Sequence, residues 1–378
     1  MSINVGLEGI VVAETALSMV DGETGRLVIA GEEVGHLAGR HSFDVVFRRL
    51  MAAAGAPVPG SLTLGQARQR AHALLPRCEE ALRAPVGMDA LRSCLSLLPD
   101  SDETALVGAA AVFTAAWWRA TRVLPPIAPD PALEHAADLH RMLTGRRDGA
   151  AASALDTYLT TVVDHGMNAS TFTARVVAST GSDRTSAVVA ALGALKGPLH
   201  GGAPGPVLDM LDAVGTVDNA ETWVQGELAA GRRIMGMGHR VYRVRDPRAA
   251  VLERAVRAFT TARANPVGTD LGMSPLPNVP IVAPSPDFQR VELALAVEGA
   301  AQRALAARHP DRPLRANVEF FTAVLLDAIG IDRALFSPLF ACSRAAGWCA
   351  HVAEQRANGR LIRPRARYVG QDGANVAM

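Results

Sequence analysis

The chain has 378 residues, of which 49% are apolar types and 20% charged. That is the composition of a folded globular protein long enough for two domains, and it excludes a disordered chain. A net charge of +1 leaves no basic footprint for a nucleic-acid or membrane-surface binder. In chain order, the segment MSINVGLEGIVVAET has no basic stretch followed by a long apolar run. No signal or transit peptide is expected, and a cytoplasmic location fits. Gly9–Ala13 and Arg26–Ala30 are apolar and β-branched, with a turn-like Asp21–Gly25 between them. They predict a small N-terminal β element, and strand signals end there.

Everything after it reads helical. Asp100-Ser101-Asp102-Glu103 offers an N-cap and a capping-box glutamate. The apolar run behind it, Ala105–Trp118, is shorter than a membrane span and predicts a buried helix. Val291–His309 is a helix with Leu293, Val297 and Ala301 on one face, and Pro310 stops it. Glu319–Ile329 and Pro338–Ala357 are further helices. Breaks fall at 125–131, 197–206, 266–286 and 359–367. No strand–helix alternation is present, so the fold class is all-α.

Three of the ten histidines stand in unusual settings. His165 lies in Asp-His-Gly-Met-Asn-Ala-Ser-Thr. His200 lies in Gly-Pro-Leu-His-Gly-Gly. His239 lies in Gly-Met-Gly-His-Arg-Val-Tyr. Glycine beside histidine lets a ligand approach the backbone closely. None of the histidines stands at metal-ligand spacing, and the four cysteines form no CxxC pair. No metal site is expected. The glycine-rich stretch after Lys196 lacks a P-loop ending.

Arginine is the second signal. Arg240, Arg243, Arg245 and Arg248 follow His239, and Arg344 sits inside the apolar run Phe340–Trp348. A buried arginine is costly unless it meets an anion. Several arginines beside neutral histidines suit a small polycarboxylate. Glu319, in Asn317-Val-Glu-Phe-Phe, places one carboxylate among apolar neighbours at a helix start. Burial would raise its pKa and make it a usable base.

Together these residues resemble the citrate synthase family in its short bacterial and archaeal form. The resemblance runs from Gly6-Leu-Glu-Gly-Ile to Tyr368-Val-Gly, and Asp246-Pro-Arg and Arg344-Ala-Ala-Gly-Trp belong to it. It implies an all-helical, two-domain fold and a homodimer. Residues 1–202 and 331–378 would form the large domain and 203–330 the small mobile one, with the site between them. It implies condensation of acetyl-CoA with oxaloacetate to citrate and CoA, with no permanently bound cofactor. It implies that His200 stabilises the thioester enol, that His239 polarises the ketone and that Glu319 is the base. His165, Arg248 and Arg344 match oxaloacetate ligands, and Arg363 matches one reaching the partner's site. Arg233, Ile234, Met235, Gly236 and Met237 match a coenzyme A-binding segment. Two positions depart from the family pattern: Glu319 replaces the usual aspartate, and Val162 replaces a frequent histidine. A 2-methylcitrate synthase using propionyl-CoA is the near alternative. A weakly active paralogue that binds CoA or a dicarboxylate is the distant one.

Overall fold

A computed structural model describes residues 5–7, 9–56, 63–200, 204–239, 241–264, 274–276, 279–281, 288–310 and 314–370. Arg240, Gly201, Gly202 and the expected domain junction at 202/203 lie outside the described residues. Three short strands, β1 (Ser18–Asp21), β2 (Arg26–Ile29) and β3 (Glu32–Glu33), form an antiparallel sheet in that order. Ser18 pairs with Ile29 and Val28 with Glu33. The first strand is thus displaced from the expected Gly9–Ala13, which has no partner strand and leaves Val11 86% exposed. A β-branched run without a ladder partner has nowhere to place its backbone hydrogen bonds except water.

Contrary to the expectation that strands end with the N-terminal element, Arg146–Arg147 pairs antiparallel with Ser274–Pro275; the remaining regular structure is helical. The first helices are α1 (Val34–Leu37), α2 (Phe43–Ala53), α3 (Leu64–His72), α4 (Gly87–Ser96) and α5 (Glu103–Ala120). Next come α6 (His135–Thr144), α7 (Gly149–Val162), α8 (Ala169–Ser179), α9 (Arg184–Leu195) and α10 (Gly205–Val214). The last are α11 (Ala220–Ala229), α12 (Pro247–Ala264), α13 (Phe288–Arg308), α14 (Val318–Ala328) and α15 (Phe336–Asn358). No described helix is long and apolar enough to cross a membrane.

Helix α5 is buried nearly all round and packs on α3, α4, α6 and α15. Asp102 caps it by accepting from Ala105 N at 2.7 Å. Glu103 is its first residue, two positions too early for a capping box, and pairs with Arg184 at 2.8 Å. Helix α15 is the second central rod, buried along most of its length against α5, α8 and α9. Its Gly347 permits this: a Cβ there would stand 2.4 Å from Val163 O. The loop after α7, which carries Asp164 and His165, therefore rests directly on the α15 backbone. Helix α12 packs on both α14 and α7.

Candidate active site

Four segments meet at the site: the loop 163–168, His200 after α9, the described residues 236–239 and 241–248, and the start of α14. The third and fourth are stitched together. Gly238 N donates to Arg315 O at 2.8 Å and Asn317 N donates to Gly236 O at 2.9 Å. Asn317 Nδ2 adds a bond to Gly238 O at 2.8 Å, while its Oδ1 caps α14 by accepting from Phe320 N. Gly236 has φ +73°, and a Cβ on it would lie 2.7 Å from Phe320 Cβ. Only glycine fits that crossing. One asparagine thus starts the helix that bears Glu319 and holds the loop that bears His239.

The His239 environment fixes its proton. The main-chain N–H groups of Val241 and Tyr242 both donate to Nδ1, at 3.0 Å each. Burial first, and then the Arg248 charge, push the His239 pKa down to about 4, so the ring is neutral near pH 7. A neutral ring has one proton, so it sits on Nε2. Arg248 Nη2 lies 3.1 Å from that nitrogen. The guanidinium N–H is aimed at the ring nitrogen itself, and a carbonyl or carboxylate oxygen placed between the two could accept from both.

His200 is arranged in the same way. Ser170 N donates to its Nε2 at 3.3 Å and Ser170 Oγ stands 2.9 Å from it. The Trp348 indole donates to that hydroxyl at 3.1 Å. Burial, followed by Arg344, pushes the His200 pKa down to about 4. The ring proton is therefore on Nδ1, as a donor. His200 and Glu319 line one pocket with Phe336 and Phe340. Burial raises the Glu319 carboxyl above the usual glutamate range, against the pull of Arg248. Its buried Oε2 has no hydrogen-bond partner among the described residues, which leaves that oxygen open to take a proton.

The arginines divide. Arg248 is buried and held by Asp246 through Nε at 3.1 Å and Nη2 at 2.9 Å. Asp246 also accepts from Val318 N at 3.3 Å, tying the arginine to the first turn of α14. Arg243 turns outward to Glu23 and Arg245 to Glu253, so neither enters the cleft. Arg344 is 1% exposed, with its Nε bonded to Val162 O at 2.9 Å and its guanidinium over the Phe340 ring at 4.6 Å. No carboxylate lies within ion-pair distance among the described residues, and burial pushes its pKa down to about 10. Glu354 pairs instead with Arg175 at 2.6 Å. At position 162, the backbone carbonyl rather than a side chain faces the site's arginine.

His165 lies beside His239, with ring centroids 6.1 Å apart. Burial and then Arg248 hold its pKa well below the ordinary histidine range. Arg233 is exposed, Ile234 and Met237 are buried, and Met235 is 42% exposed. Arg363 is exposed on the coil after α15. The sequence reading singled out neither Ser170, Tyr242 nor Asp246 for a role of its own. Their signal is weak, since an ordinary serine, tyrosine or aspartate acquires meaning only from the residue it touches. Among the described residues, no three His, Cys, Asp or Glu side chains gather as for a metal ion.

The family model described as "Citrate synthase, C-terminal domain" covers residues 6–365. The citrate synthase of Haloferax volcanii is 36% identical over 97% of this chain and 95% of its own. The chain belongs to the citrate synthase family. "Putative citrate synthase 2" of Mycobacterium tuberculosis is 44% identical over 60% of this chain and 53% of its own length. The match therefore spans about half of that relative. The 2-methylcitrate synthase of the same organism is 35% identical over 98% of this chain and 91% of its own. Among solved structures, the ternary complex of carboxymethyl coenzyme A and oxaloacetate with Thermoplasma acidophilum citrate synthase has 25% identity and a TM-score of 0.80. That comparison covers 100% of this chain and 98% of the other.

Proposed function

We propose that this citrate synthase family member condenses acetyl-CoA with oxaloacetate and hydrolyses the resulting thioester, releasing citrate and CoA. One observation carries the reading: a buried carboxylate with a free oxygen shares a pocket with a neutral histidine donor. Glu319 takes the α-proton of the acetyl group. The His200 Nδ1–H donates to the thioester oxygen as negative charge develops on it. Such a donor in a dry site typically contributes ~2.7–4 kcal/mol. The enol carbon then attacks the ketone carbon of oxaloacetate, whose oxygen is polarised by His239 Nε2–H. Arg248 and Arg344 hold the carboxylates, with His165 as a further donor. Water finally attacks the thioester carbonyl, so CoA leaves as the thiol.

Glu319 is one methylene longer than the family's aspartate, a reach of ~1.5 Å. The Gly236–Phe320 crossing sets where that longer side chain starts. Residues 233–237 would bind the coenzyme A chain. The cleft would close between a large part, 1–202 with 331–378, and a small part, 203–330. Oxaloacetate between Arg344 and Arg248 would favour the closed state by differential contacts. The protein would act as a cytoplasmic homodimer, with Arg363 entering the partner's cleft. Exposed Ile10, Val11, Leu361 and Val369 support a covered surface near both ends of the described chain.

The likeness to a 2-methylcitrate synthase over 98% of the chain makes propionyl-CoA the second acyl donor to consider. One methylene is worth only ~1–3 kcal/mol of discrimination. CoA release, measured with acetyl-CoA and with propionyl-CoA, each with oxaloacetate, tests both. Faster release with acetyl-CoA supports the main reading, and faster release with propionyl-CoA supports the second. Binding without release from either sinks both and leaves a sensor.

A further inference from the structure

We propose that Tyr242 is a positioning residue whose phenol hydroxyl sets the tautomer of His165, leaving Nδ1 as an N–H donor for the anionic substrate. The inference rests on the reading that His165 binds oxaloacetate. Tyr242 is 2% exposed, and its Oη lies 3.0 Å from His165 Nε2. No other bond to the His165 ring is present among the described residues. The phenol ring meets His165 edge-on, with centroids 5.7 Å apart, and tilts against His239 at 4.8 Å. Arg248 Cζ sits 5.8 Å above the same ring. The main-chain N–H of Tyr242 is also one of the two donors that fix His239. A single residue therefore governs both histidines, one through its backbone and the other through its side chain.

Both partners of the His165 bond are neutral, and the charge of the ligand sets which direction of that bond is productive. Burial raises the phenol's pKa, so the hydroxyl keeps its proton and can donate. Burial and Arg248 keep His165 neutral, so its ring carries one proton. If Tyr242 donates to Nε2, that proton is on Nδ1 and a carboxylate meets a donor. If the roles reverse, Nδ1 presents a lone pair to an anion, which repels it. Buried polar groups of the wrong polarity cost the full desolvation of the ligand they face. The phenol hydroxyl selects the productive form before the ligand arrives.

Tyr242→Phe tests this, because it keeps the ring against His239 and Arg248 and removes only the hydroxyl. Nitrogen-15 spectra of histidine-labelled free protein report the tautomer, with the His165 signal assigned by its loss in His165→Asn. Wild type should show the Nδ1-protonated form, and Tyr242→Phe should show a mixture or the Nε2-protonated form. The KM for oxaloacetate should rise about tenfold in Tyr242→Phe, while kcat and the KM for acyl-CoA hold. An Nε2-protonated His165 in wild type overturns the proposal, and this measurement stands even if the variant does not fold. A changed tautomer with an unchanged KM for oxaloacetate also overturns it. A wild-type protein that releases no CoA sinks the proposed function instead, and the tautomer in the free protein still decides what Tyr242 does.

Discussion

Arg68, in the helical body, and Arg344, at the cleft, are buried equally, at 0% and 1% exposure, yet their surroundings are opposite. Arg68 donates Nε to Asp138 at 2.7 Å and Nη2 to Leu133 O at 2.8 Å, and its Nη1 lies 3.3 Å from His135. Arg141 closes on the same aspartate at 2.6 Å. Two guanidiniums share that one carboxylate and send further donors to main-chain carbonyls, and the network joins α3 to α6. Arg344 has one carbonyl, one aromatic face and no carboxylate at ion-pair distance among the described residues. A matched buried charge fixes shape; an unmatched one keeps its capacity for an anion that arrives later. The same contrast holds for carboxylates. Asp138 is saturated with donors, whereas Glu319 keeps a bare oxygen.

The largest expected effect is at that oxygen. Glu319→Gln should lower kcat by ~10²–10⁴-fold and leave oxaloacetate binding nearly intact. Glu319→Asp should retain activity, because only the reach changes. The acid limb of the kcat profile should lie above the usual glutamate range, since burial raises this carboxyl. Wild-type turnover in the Gln variant would remove Glu319 from the mechanism.

The two arginines should then part company on mutation. Arg344→Ala should weaken oxaloacetate binding by roughly 30- to several thousand-fold without lowering the melting temperature, because it removes an unpaired buried charge. Arg68→Ala should cost about 3–5 kcal/mol of stability, read by denaturant unfolding, and leave the KM for oxaloacetate alone. An Arg344 variant that loses stability and keeps its KM would erase the distinction.

A third arginine extends the contrast across subunits. Arg363 lies on the surface of its own chain, where substitutions are ordinarily within about ±0.5 kcal/mol of neutral. If it serves the partner's cleft, Arg363→Ala and His239→Ala should each be inactive alone. Mixed, they should regain up to about one working site per heterodimer. No recovery, with subunit exchange confirmed, would assign Arg363 to its own surface.

The smallest effect concerns pH. His200 and His239 protonate near 6.5 when unfolded and only at about 4 when folded. The unfolded chain binds more protons between these values, so stability should fall as pH drops from 6.5 toward 4. Asp156 has the opposite sign. Burial, with Asp44 and Glu134 nearby, pushes it up to about 7, while Phe43 N–H bonds its Oδ1 at 3.0 Å. Its protonated form favours the fold, so its contribution falls as pH rises from the ordinary 3.8 to about 7 and is gone above that. Asp156→Asn should remove that fall between these values and leave the alkaline side of a melting-temperature profile unchanged. A profile unchanged in that window would place the cause elsewhere.

The sequence by itself determined the helices and most of the residues that line the cleft. The acidic cap at 100–103, the apolar run of α5 and the proline after α13 act within a few residues, so they are legible in a linear text. The histidine and arginine motifs were legible for a different reason, as a set matching one family. Tertiary structure decided which way each charge turned. Arg243, Arg245 and Arg248 are near neighbours in sequence, yet Arg248 alone of the three reaches the cleft, because Asp246 holds it there. The displaced first strand needed a ladder partner, and Gly9–Ala13 has none. The proton positions on His200 and His239 depend on backbone N–H groups aimed from Ser170, Val241 and Tyr242. Spacing sets the phase of a helix. A loop side chain takes its direction from partners distant in sequence, and those exist only once the chain has folded.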